Sequence, residues 1–491
     1  MTSWTRRGLL TTGAIGTLAA CTGGDGAAPP APTPSSAATG GKVPWASLER
    51  SVDGSLVRPR DPSYDEVRLL QNPRYDDQRP LAVLAVASAA DVAAGIGFAR
   101  DHGLPVAVRS GGHSYPGWSG GGSPRALVLD CRGLDRVELD GTTATIGPGS
   151  LLADVYDTLG ARDRAIAGGS CASVGYGGLA LGGGVGVLTR AMGLTCDAVT
   201  SMEVVTADGR VRTASVDAEP DLFWALRGCG GGHLGVVTSF AVATAEAPTI
   251  GTAYLEWSFD AAATVVAAWQ EWASTADARL WSTLKALGGQ QHPDGPTLLL
   301  SATWTGPTGD LDRQLAGLLD DVPAPTVRTT HARGYREQMA AFGGTGEREA
   351  FAATSHVAYD PLDDGGIAIL LDQVRAAQDA GLKEAGVSID ALGGRVGDLA
   401  PADTAFVHRE ALATVQYTAT FPPGDAQAAD EYVRGLRSAM IPHWGEHAYV
   451  NYADASIEDH RSAYYGANAE RLGRVSTSYD ADGFFSQPQP L

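Results

Sequence analysis

Two glycine-rich stretches constrain the fold more than any other feature of this sequence. Residues 108–121 read VRSGGHSYPGWSGG and contain one histidine, and residues 168–186 read GGSCASVGYGGLALGGGVG and contain one cysteine. Glycine reaches positive φ without steric cost and lets backbone N–H groups come close to an anion. Two such loops in one domain suit a pyrophosphate and the ring system attached to it, so the chain is expected to bring them together.

The first loop follows a strand–helix–strand pattern. Residues 81–86 form a short apolar run suited to a buried strand, and residues 105–108 read as the next strand. Between them, Ser88 precedes Asp91 by three places, which predicts a helix start, and apolar residues then recur at helical spacing. This unit places residues 109–115 at the carboxyl end of a strand, where loops of α/β layers meet ligands. The sequence contains neither a Walker A motif nor a G-x-G-x-x-G at the first β–α turn, which disfavours both of those nucleotide sites.

Further along, residues 199–215 read as two strands around a turn at Asp208-Gly209, and the pattern changes again after residues 246–249. Strand candidates there alternate with helical stretches, the strands at 252–259, 297–305 and 411–421 and the helices near 261–273, 309–321, 366–379 and 427–440. Such alternation predicts a second region in which helices cover a sheet.

The first 42 residues carry signals for export and tethering. Residues 1–21 contain the pair Arg6 and Arg7 before a short apolar run that ends at Cys21, in a pattern that resembles a bacterial lipoprotein processing site. Residues 22–42 have little to bury and predict a tether. We expect export to an extracytoplasmic location, with a lipid at Cys21 as anchor on the outer face of the cell membrane. An ordinary cleaved signal, in which Cys21 has no role, is the alternative.

Charge and composition exclude several classes of partner. The formal net charge of -20 opposes sequence-independent binding to nucleic acid and provides no basic stripe for anionic lipid. The histidines lack zinc spacing, so no metal site is predicted. Cys131, Cys196 and Cys229 are expected to pack in the interior, and whether any of them forms a disulfide is open at this stage.

Several long motifs, in a fixed order, give the sequence a resemblance to a known family. RSGGHSYPGWSGG, GSCASVGYGGLALGGGVGVLTRAMGLTCDAV, DLFWALRGCGGGHLGVVTSF and the terminal NYAD…YYGAN…RL…V…YD…F resemble the berberine bridge enzyme-like flavoprotein oxidases of the vanillyl-alcohol oxidase and p-cresol methylhydroxylase superfamily. The resemblance implies an α+β, two-domain FAD-binding fold of the PCMH type. Residues 43–247 and 445–491 would form the FAD-binding domain, and residues 248–444 an inserted substrate domain of a sheet and helices.

The resemblance also implies FAD as the cofactor and gives the two loops a purpose. In the family, the histidine of GGHS bonds to the flavin 8α-methyl carbon and the cysteine of GxCxxVG bonds to flavin C6, which assigns covalent attachment to His113 and Cys171. Attachment through His113 alone is the alternative. The other cofactor-binding residues that the resemblance implies are Arg109, Ser110, Gly111, Gly112, Ser114, Gly169, Ser170, Val174, Gly175, Gly178, Val237, Asn451 and Asn468. A residue as small as Val174 leaves room for dioxygen in the family and favours an oxidase.

Carbohydrate-oxidising members of the family take the substrate's hydroxyl proton with a tyrosine from a Y-x-N-Y strand, which residues 449–452 match. The resemblance assigns Tyr452 as the base, Tyr449 as its support and Tyr115 as a further substrate-side tyrosine, and Gln416 falls where members carry glutamine or a catalytic glutamate. A free tyrosine titrates near pH 10, so a tyrosine base needs donors or positive charge nearby. Packing within a strand is the alternative role for these tyrosines.

Together, these residues predict an FAD-dependent oxidase that takes hydride from a secondary or hemiacetal alcohol of an oligosaccharide or secondary metabolite. Dioxygen would receive the electrons and leave as hydrogen peroxide. Two alternatives are open at this stage. One is a dehydrogenase of the same fold that passes its electrons to another acceptor, and the other is a non-enzymatic solute-binding lipoprotein.

Overall fold

A computed structural model describes residues 43–422 and 425–491. The predicted signal, tether and lipid attachment at Cys21 all fall on residues 1–42, which lie outside the described residues. Within the described part, no helix combines the length and apolar character needed to cross a membrane.

A four-stranded sheet carries the first glycine loop. Its strands are β1 (Ser55–Val57), β2 (Ala82–Ala85), β3 (Val106–Arg109) and β4 (Leu127–Asp130), in the spatial order β1-β2-β4-β3. The helix between β2 and β3 spans Ala89–His102, and Ser88 Oγ accepts a hydrogen bond from the Asp91 N–H at 3.2 Å, as the spacing predicted. The predicted strand–helix–strand unit is therefore confirmed, and the loop with His113 begins where β3 ends.

The next sheet is antiparallel and has five strands. It contains β5 (Val137–Asp140), β6 (Thr143–Ile146), β8 (Val199–Val205), β9 (Val211–Ser215) and β10 (Val236–Ala243), in the order β5-β6-β10-β8-β9. The turn between β8 and β9 lies at Asp208-Gly209, where Gly209 has a φ of 75°, so the predicted hairpin is confirmed. Two short strands, β7 (Arg164–Ala165) and β11 (Ala245–Glu246), pair with each other.

The largest sheet has seven antiparallel strands and lies in the region predicted to hold helices over a sheet. The strands are β12 (Thr249–Trp257), β13 (Leu280–Gly288), β14 (Thr297–Trp304), β15 (Val327–Gly334), β16 (Phe351–Ala358), β17 (Glu384–Ala391) and β18 (Ala413–Thr420). Their order is β15-β12-β14-β13-β17-β18-β16. The sequence predicted β12, β14 and β18 and missed the other four.

Helices complete the architecture. In chain order they are α1 (Trp45–Glu49), α2 (Tyr64–Val67), α3 (Ala89–His102), α4 (Leu152–Gly160), α5 (Tyr176–Leu181), α6 (Thr189–Met192), α7 (Pro220–Ala225), α8 (Ala262–Thr275), α9 (Leu311–Leu319), α10 (Tyr335–Phe342), α11 (Asp364–Asp379), α12 (Ala426–Trp444), α13 (His460–Tyr465) and α14 (Ala469–Tyr479). Four of them, α8, α9, α11 and α12, pack with one face of the seven-stranded sheet in a single apolar core. The opposite face of β13, β17 and β18 carries polar residues such as Thr283, Ser388 and Gln416.

Two sequence-based expectations are corrected or settled at this level. The Y-x-N-Y segment is not a strand, because Val450–Tyr452 forms a single 3₁₀ turn. The cysteines Cys131, Cys196 and Cys229 are buried, and no disulfide links any of the cysteines that the structure describes.

Candidate active site

A cavity of about 560 Å³ is lined by both glycine loops and reaches the seven-stranded sheet at Phe351. Most of its wall comes from five segments of the chain, at 108–119, 171–181, 230–237, 343–351 and 450–453. The size is that of a typical small-molecule or cofactor site. The cavity therefore collects, in one place, residues that are far apart in sequence.

The two glycine loops touch through their backbones. A Cβ atom on Gly111 would lie 2.3 Å from the backbone nitrogen of Gly175, and a Cβ on Gly175 would lie 2.2 Å from the backbone nitrogen of Gly111. Any side chain at either position would push the loops apart. Gly178, by contrast, has no atom within 4 Å of where its Cβ would be. Contact between the loops thus explains why positions 111 and 175 are glycine, whereas the backbone at Gly178 is open to a ligand.

The second loop is held by the start of helix α4. The N–H of Leu152 donates to the carbonyl of Val174 at 3.0 Å, and the N–H of Ala153 donates to the carbonyl of Ala172 at 3.1 Å. These bonds satisfy donors that the first turn of a helix leaves without intrahelical partners. Cys171 and Ser173 are two residues apart, and both line the cavity.

His113 and Cys171 meet at one hydroxyl group. Nε2 of His113 lies 3.0 Å from Oγ of Ser173, and Sγ of Cys171 lies 3.5 Å from the same oxygen. Burial lowers the pKa of the His113 imidazole to about 4, so the ring is neutral at neutral pH. Cys171 is exposed, whereas Cys131, Cys196 and Cys229 are buried. The arrangement presents an unprotonated nitrogen and an accessible sulfur on the same side of the cavity; we name this side, with Ser173, the attachment side.

Another part of the cavity wall is aromatic. The rings of Tyr115 and Tyr452 are parallel within 4°, with centroids 5.5 Å apart, and Phe351 contacts Tyr115 edge-on at 5.2 Å. The side-chain amide of Gln416 donates a hydrogen bond to the hydroxyl of Tyr115. We name this group, with Asp390, the substrate side.

Tyr449 lies behind the substrate side and does not line the cavity. Its ring packs edge-on against Tyr452 with centroids 5.0 Å apart, and its hydroxyl oxygen accepts hydrogen bonds from the Gly184 N–H and from Nδ2 of Asn451, both at 2.9 Å. Burial raises the pKa of Tyr449, and these donors partly oppose that rise. The residue is placed to support Tyr452 rather than to reach a ligand.

Asp390 is a functional candidate that sequence reasoning missed. It lies on β17 opposite Thr283 of β13 and Thr414 of β18. Burial raises the pKa of the Asp390 carboxyl. Burial raises the pKa values of Tyr452 and Tyr115 as well, and the negative charge of Asp390 raises both further. The polar alternation Ser388–Asp390 in an otherwise apolar strand was the available signal.

Most of the predicted cofactor residues line the cavity together with His113 and Cys171. They are Ser110, Gly111, Gly112, Ser114, Val174, Gly175, Gly178, Val237 and Asn451. Of the predicted catalytic residues, Tyr115 and Tyr452 line it, while Gln416 and Tyr449 reach it through their contacts with these two.

Four predicted cofactor residues do not line the cavity, and their role in cofactor binding stays a prediction. The side chain of Arg109 is fully buried, with an ion pair to Asp130 at 2.7 Å, because it turns to the inner side of β3. Asn468 donates from Nδ2 to the carbonyl of Pro401 at 2.8 Å, so it anchors a loop. Gly169 and Ser170 do not line the cavity.

The residues present fit FAD, the cofactor that the resemblance implies. A dinucleotide needs bare backbone for its pyrophosphate, and the cavity wall supplies it at Gly112, Gly178 and residues 230–232. The ring system needs a neutral imidazole and an accessible sulfur for two bonds, and His113 and Cys171 meet both requirements. Among the described residues, no cluster of metal-ligating side chains competes with this assignment.

Comparison with protein families gives two matches. A family model described as "FAD binding domain" matches residues 80–215. A second model, described as "Berberine and berberine like", matches residues 448–491. The two matches include the attachment side and the segment that carries Tyr449 and Tyr452.

Similar proteins cover nearly the whole chain. An uncharacterized FAD-linked oxidoreductase of Bacillus subtilis, YgaK, is 31% identical over 453 residues, which is 90% of this chain and 97% of that protein. A chitooligosaccharide oxidase of Gibberella zeae is 28% identical over 84% of this chain and 87% of its own length. The solved structure of BBE-like 1 from Physcomitrella patens superimposes with a TM-score of 0.84 at 25% identity, covering 91% of this chain and 98% of that one.

Proposed function

The chain belongs to the berberine bridge enzyme-like family of FAD-linked oxidoreductases, and from this premise we propose that it is an alcohol oxidase with doubly attached FAD. Its substrate would be a sugar hemiacetal or a secondary alcohol of an oligosaccharide or secondary metabolite. The observation that carries the proposal is the meeting of His113 and Cys171 at Ser173, in the same cavity that Tyr115 and Tyr452 line.

When bound, FAD supplies the acceptor for hydride from the alcohol carbon, and dioxygen then takes the electrons as hydrogen peroxide. His113 and Cys171 would hold the cofactor covalently, so it could not leave between turnovers. Gly112, Gly178 and residues 230–232 let the backbone approach its phosphates, because no Cβ stands in the way. Val174 lines the cavity with a small side chain and would leave room for dioxygen.

Tyr452 would take the hydroxyl proton of the alcohol. A general base must lie within hydrogen-bond reach of the proton it removes, and Tyr452 faces the cavity. Burial raises the pKa of Tyr452, so its hydroxyl holds its own proton until a bound partner stabilises the anion. Tyr449, fixed by Gly184 and Asn451, keeps the ring of Tyr452 in place.

A carbohydrate suits the chemistry of the substrate side. Sugar rings present apolar faces to aromatic side chains and hydroxyl groups to polar ones. This wall offers the rings of Tyr115 and Phe351 and the hydroxyl of Tyr115, to which Gln416 donates a hydrogen bond. The names of two similar proteins, the chitooligosaccharide oxidase and a glucooligosaccharide oxidase of Sarocladium strictum, support the same substrate class. Export and a lipid at Cys21 stay predictions from the sequence.

One set of measurements tests the proposal. Peptide mass spectrometry should find a flavin mass on the peptides that contain His113 and Cys171, and the yellow colour should stay with the chain in denaturant. A panel of oligosaccharides and alcohols should then release hydrogen peroxide in air. Turnover with an artificial acceptor but no peroxide would indicate a dehydrogenase, and a colourless protein would overturn the assignment.

A further inference from the structure

The hydroxyl of Ser173 stands between the two predicted anchors, and sequence reasoning assigned it no role. Its oxygen lies 3.0 Å from Nε2 of His113 and 3.5 Å from Sγ of Cys171. A hydroxyl group has one donor and two acceptor positions. Ser173 can therefore accept a proton from one neighbour while it donates its own to the other.

We propose that Ser173 is the positioning residue for covalent attachment, fixing the tautomer of His113 and then relaying the thiol proton of Cys171. This inference rests on the proposed function, because both bonds to the cofactor belong to it. It adds a group that acts through the two anchors and forms no bond to the cofactor itself.

The first step concerns His113. When Nε2–H donates to Ser173 Oγ, Nδ1 keeps its lone pair and can act as the nucleophile. A C–N bond then forms between Nδ1 and the 8α-methyl carbon, one C–H bond of that methyl group breaks, and the Nε2 proton leaves through Ser173. Two electrons and the two released protons pass to dioxygen, which becomes hydrogen peroxide.

In the second step, the hydrogen bond between Ser173 and His113 is reversed, and Ser173 becomes the donor. Once Nδ1 is bonded to carbon, Nε2 carries a lone pair and accepts the Ser173 O–H, so Oγ is free to accept the S–H of Cys171. A C–S bond forms at flavin C6 while the C–H bond at C6 and the S–H bond break. The thiol proton moves to Ser173, the serine proton moves to Nε2, and Nε2 then releases its proton. This proton, the proton from C6 and two electrons pass to a second dioxygen, which becomes hydrogen peroxide.

The backbone around Ser173 keeps the hydroxyl in this place. Ala172 and Val174, on either side, accept hydrogen bonds through their carbonyls from the start of α4, and the N–H of Ala172 donates to the carbonyl of Gly343 at 3.1 Å. The loop is thus held from two directions.

The test compares Ser173→Ala and Ser173→Thr with the wild-type protein, and Ser201→Ala, in a strand away from the cavity, serves as the matched control. Protein produced under flavin limitation is mixed with FAD in air, and peptide mass spectrometry follows the fraction of chains that carry flavin at His113 and at Cys171. We expect Ser173→Ala to slow both bonds by about a hundredfold, in the range of a positioned proton-transfer group. Ser173→Thr should restore most of the rate because it keeps the hydroxyl.

A pH series separates relay from structural support. Without the relay, the thiol proton must pass to base from solvent, so attachment at Cys171 in Ser173→Ala should become faster as the pH rises. The wild-type rate should change less. Equal attachment rates in Ser173→Ala and wild type, or failure of threonine to restore them, would overturn the role of Ser173 alone. Wild-type protein with no flavin on either peptide would overturn the proposed function and this inference together.

Discussion

Burial shifts the pKa values of the key groups on the attachment side and the substrate side in opposite directions. Burial lowers the pKa of the His113 imidazole to about 4 and raises the pKa of the Tyr452 hydroxyl, so both groups are neutral at neutral pH. A neutral imidazole is the reactive form of a nucleophile, whereas a neutral phenol is the inactive form of a base. The attachment side is therefore ready before anything binds, and the substrate side becomes active only when a bound partner stabilises the tyrosinate.

The same difference extends to how each side is built. The attachment side comes from two glycine loops whose backbones touch and whose positions are fixed by main-chain hydrogen bonds. The substrate side combines side chains from β16, β17, β18 and the 3₁₀ turn at Val450–Tyr452 with Tyr115, which comes from the first glycine loop. The proposed base Tyr452 lies on a different segment from His113 and Cys171, so its removal should leave attachment intact, and four experiments examine the two sides.

The largest effect is expected from Tyr452→Phe, which removes the proposed base and keeps the ring. Alcohol oxidation should fall by about 10²–10⁴-fold, while flavin attachment at His113 and Cys171 stays complete. Anaerobic single-turnover kinetics and peptide mass spectrometry measure the two quantities. Tyr254→Phe, which alters an exposed tyrosine on β12, is the control and should oxidise the substrate at the wild-type rate. Loss of attachment in Tyr452→Phe would contradict the separation of the two sides.

The next effect concerns the loop contact. Gly175→Ala places a Cβ against the backbone of Gly111, so the free energy of unfolding should fall by about 1–3 kcal/mol and attachment should be lost. Gly178→Ala is the matched variant, because its Cβ meets no protein atom and only the space for the cofactor shrinks. Urea unfolding and flavin content should therefore separate the two variants, with stability retained in Gly178→Ala. Equal losses of stability in the two variants would show that the contact with Gly111 does not require glycine at position 175.

A third effect is a loss of stability on acidification, caused by two buried histidines behind the substrate side. Burial lowers the pKa values of His356 and His408 to about 3, below the ordinary 6.5 of the unfolded chain. Between about pH 6.5 and pH 3, these histidines are protonated in the unfolded chain but not in the folded protein. The free energy of unfolding therefore falls as the pH drops through this range. At pH 5 each of the two histidines should lower the free energy of unfolding by about 2 kcal/mol relative to neutral pH.

Denaturant unfolding at pH 7 and pH 5 measures this loss. His408→Gln should show a smaller drop between the two pH values than the wild-type protein does. His331→Gln is the control, because His331 is exposed on the edge strand β15 and should leave the drop unchanged. An identical drop in His408→Gln and wild type would contradict the account of the buried ring.

The smallest effect is expected from Asp390→Asn. The charge of Asp390 raises the pKa of Tyr452, so its removal should lower that pKa and move the rising limb of the pH–rate profile to lower pH, by about one unit or less. The pH dependence of single-turnover oxidation measures the shift. Attachment should be unchanged at every pH, and a shift to higher pH would contradict the electrostatic reasoning.

Local patterns predicted the parts of the molecule in which neighbouring residues decide the outcome. The β2–α3–β3 unit follows from apolar runs and the Ser88 cap, and the β8–β9 hairpin follows from Asp208-Gly209. Long motifs placed His113 and Cys171 in loops that line one cavity. In each case the signal lies within a few residues of the feature that it predicts.

Strands of the large sheet escaped prediction for a physical reason. All of β15 except one residue is exposed, so it has no apolar alternation to detect. In β13, Trp281 packs into a different apolar cluster from that of its neighbours Leu280 and Leu284. Both faces of this strand are therefore apolar, and its sequence lacks the alternation of apolar and polar residues that would identify a strand. Contacts distant in sequence decide both strands.

Site details escaped for the same reason. The direction of the Arg109 side chain depends on Asp130, and the 3₁₀ turn at Val450–Tyr452 depends on hydrogen bonds from Asn451 to Leu179 and to the hydroxyl of Tyr449. Ser173 is one serine in a loop of small residues, and only the folded chain shows that it touches both anchors.

The cavity wall also sets the moment at which the protein can receive its cofactor. Asn451 donates to the carbonyl of Leu179, and Gln487 lines the cavity and donates to the carbonyl of Gly232 at 3.1 Å. A ribosome that adds about 5–20 residues per second makes the histidine loop roughly 20–75 s before Gln487. Until Gln487 has been made, the cavity lacks the part of its wall that this residue supplies.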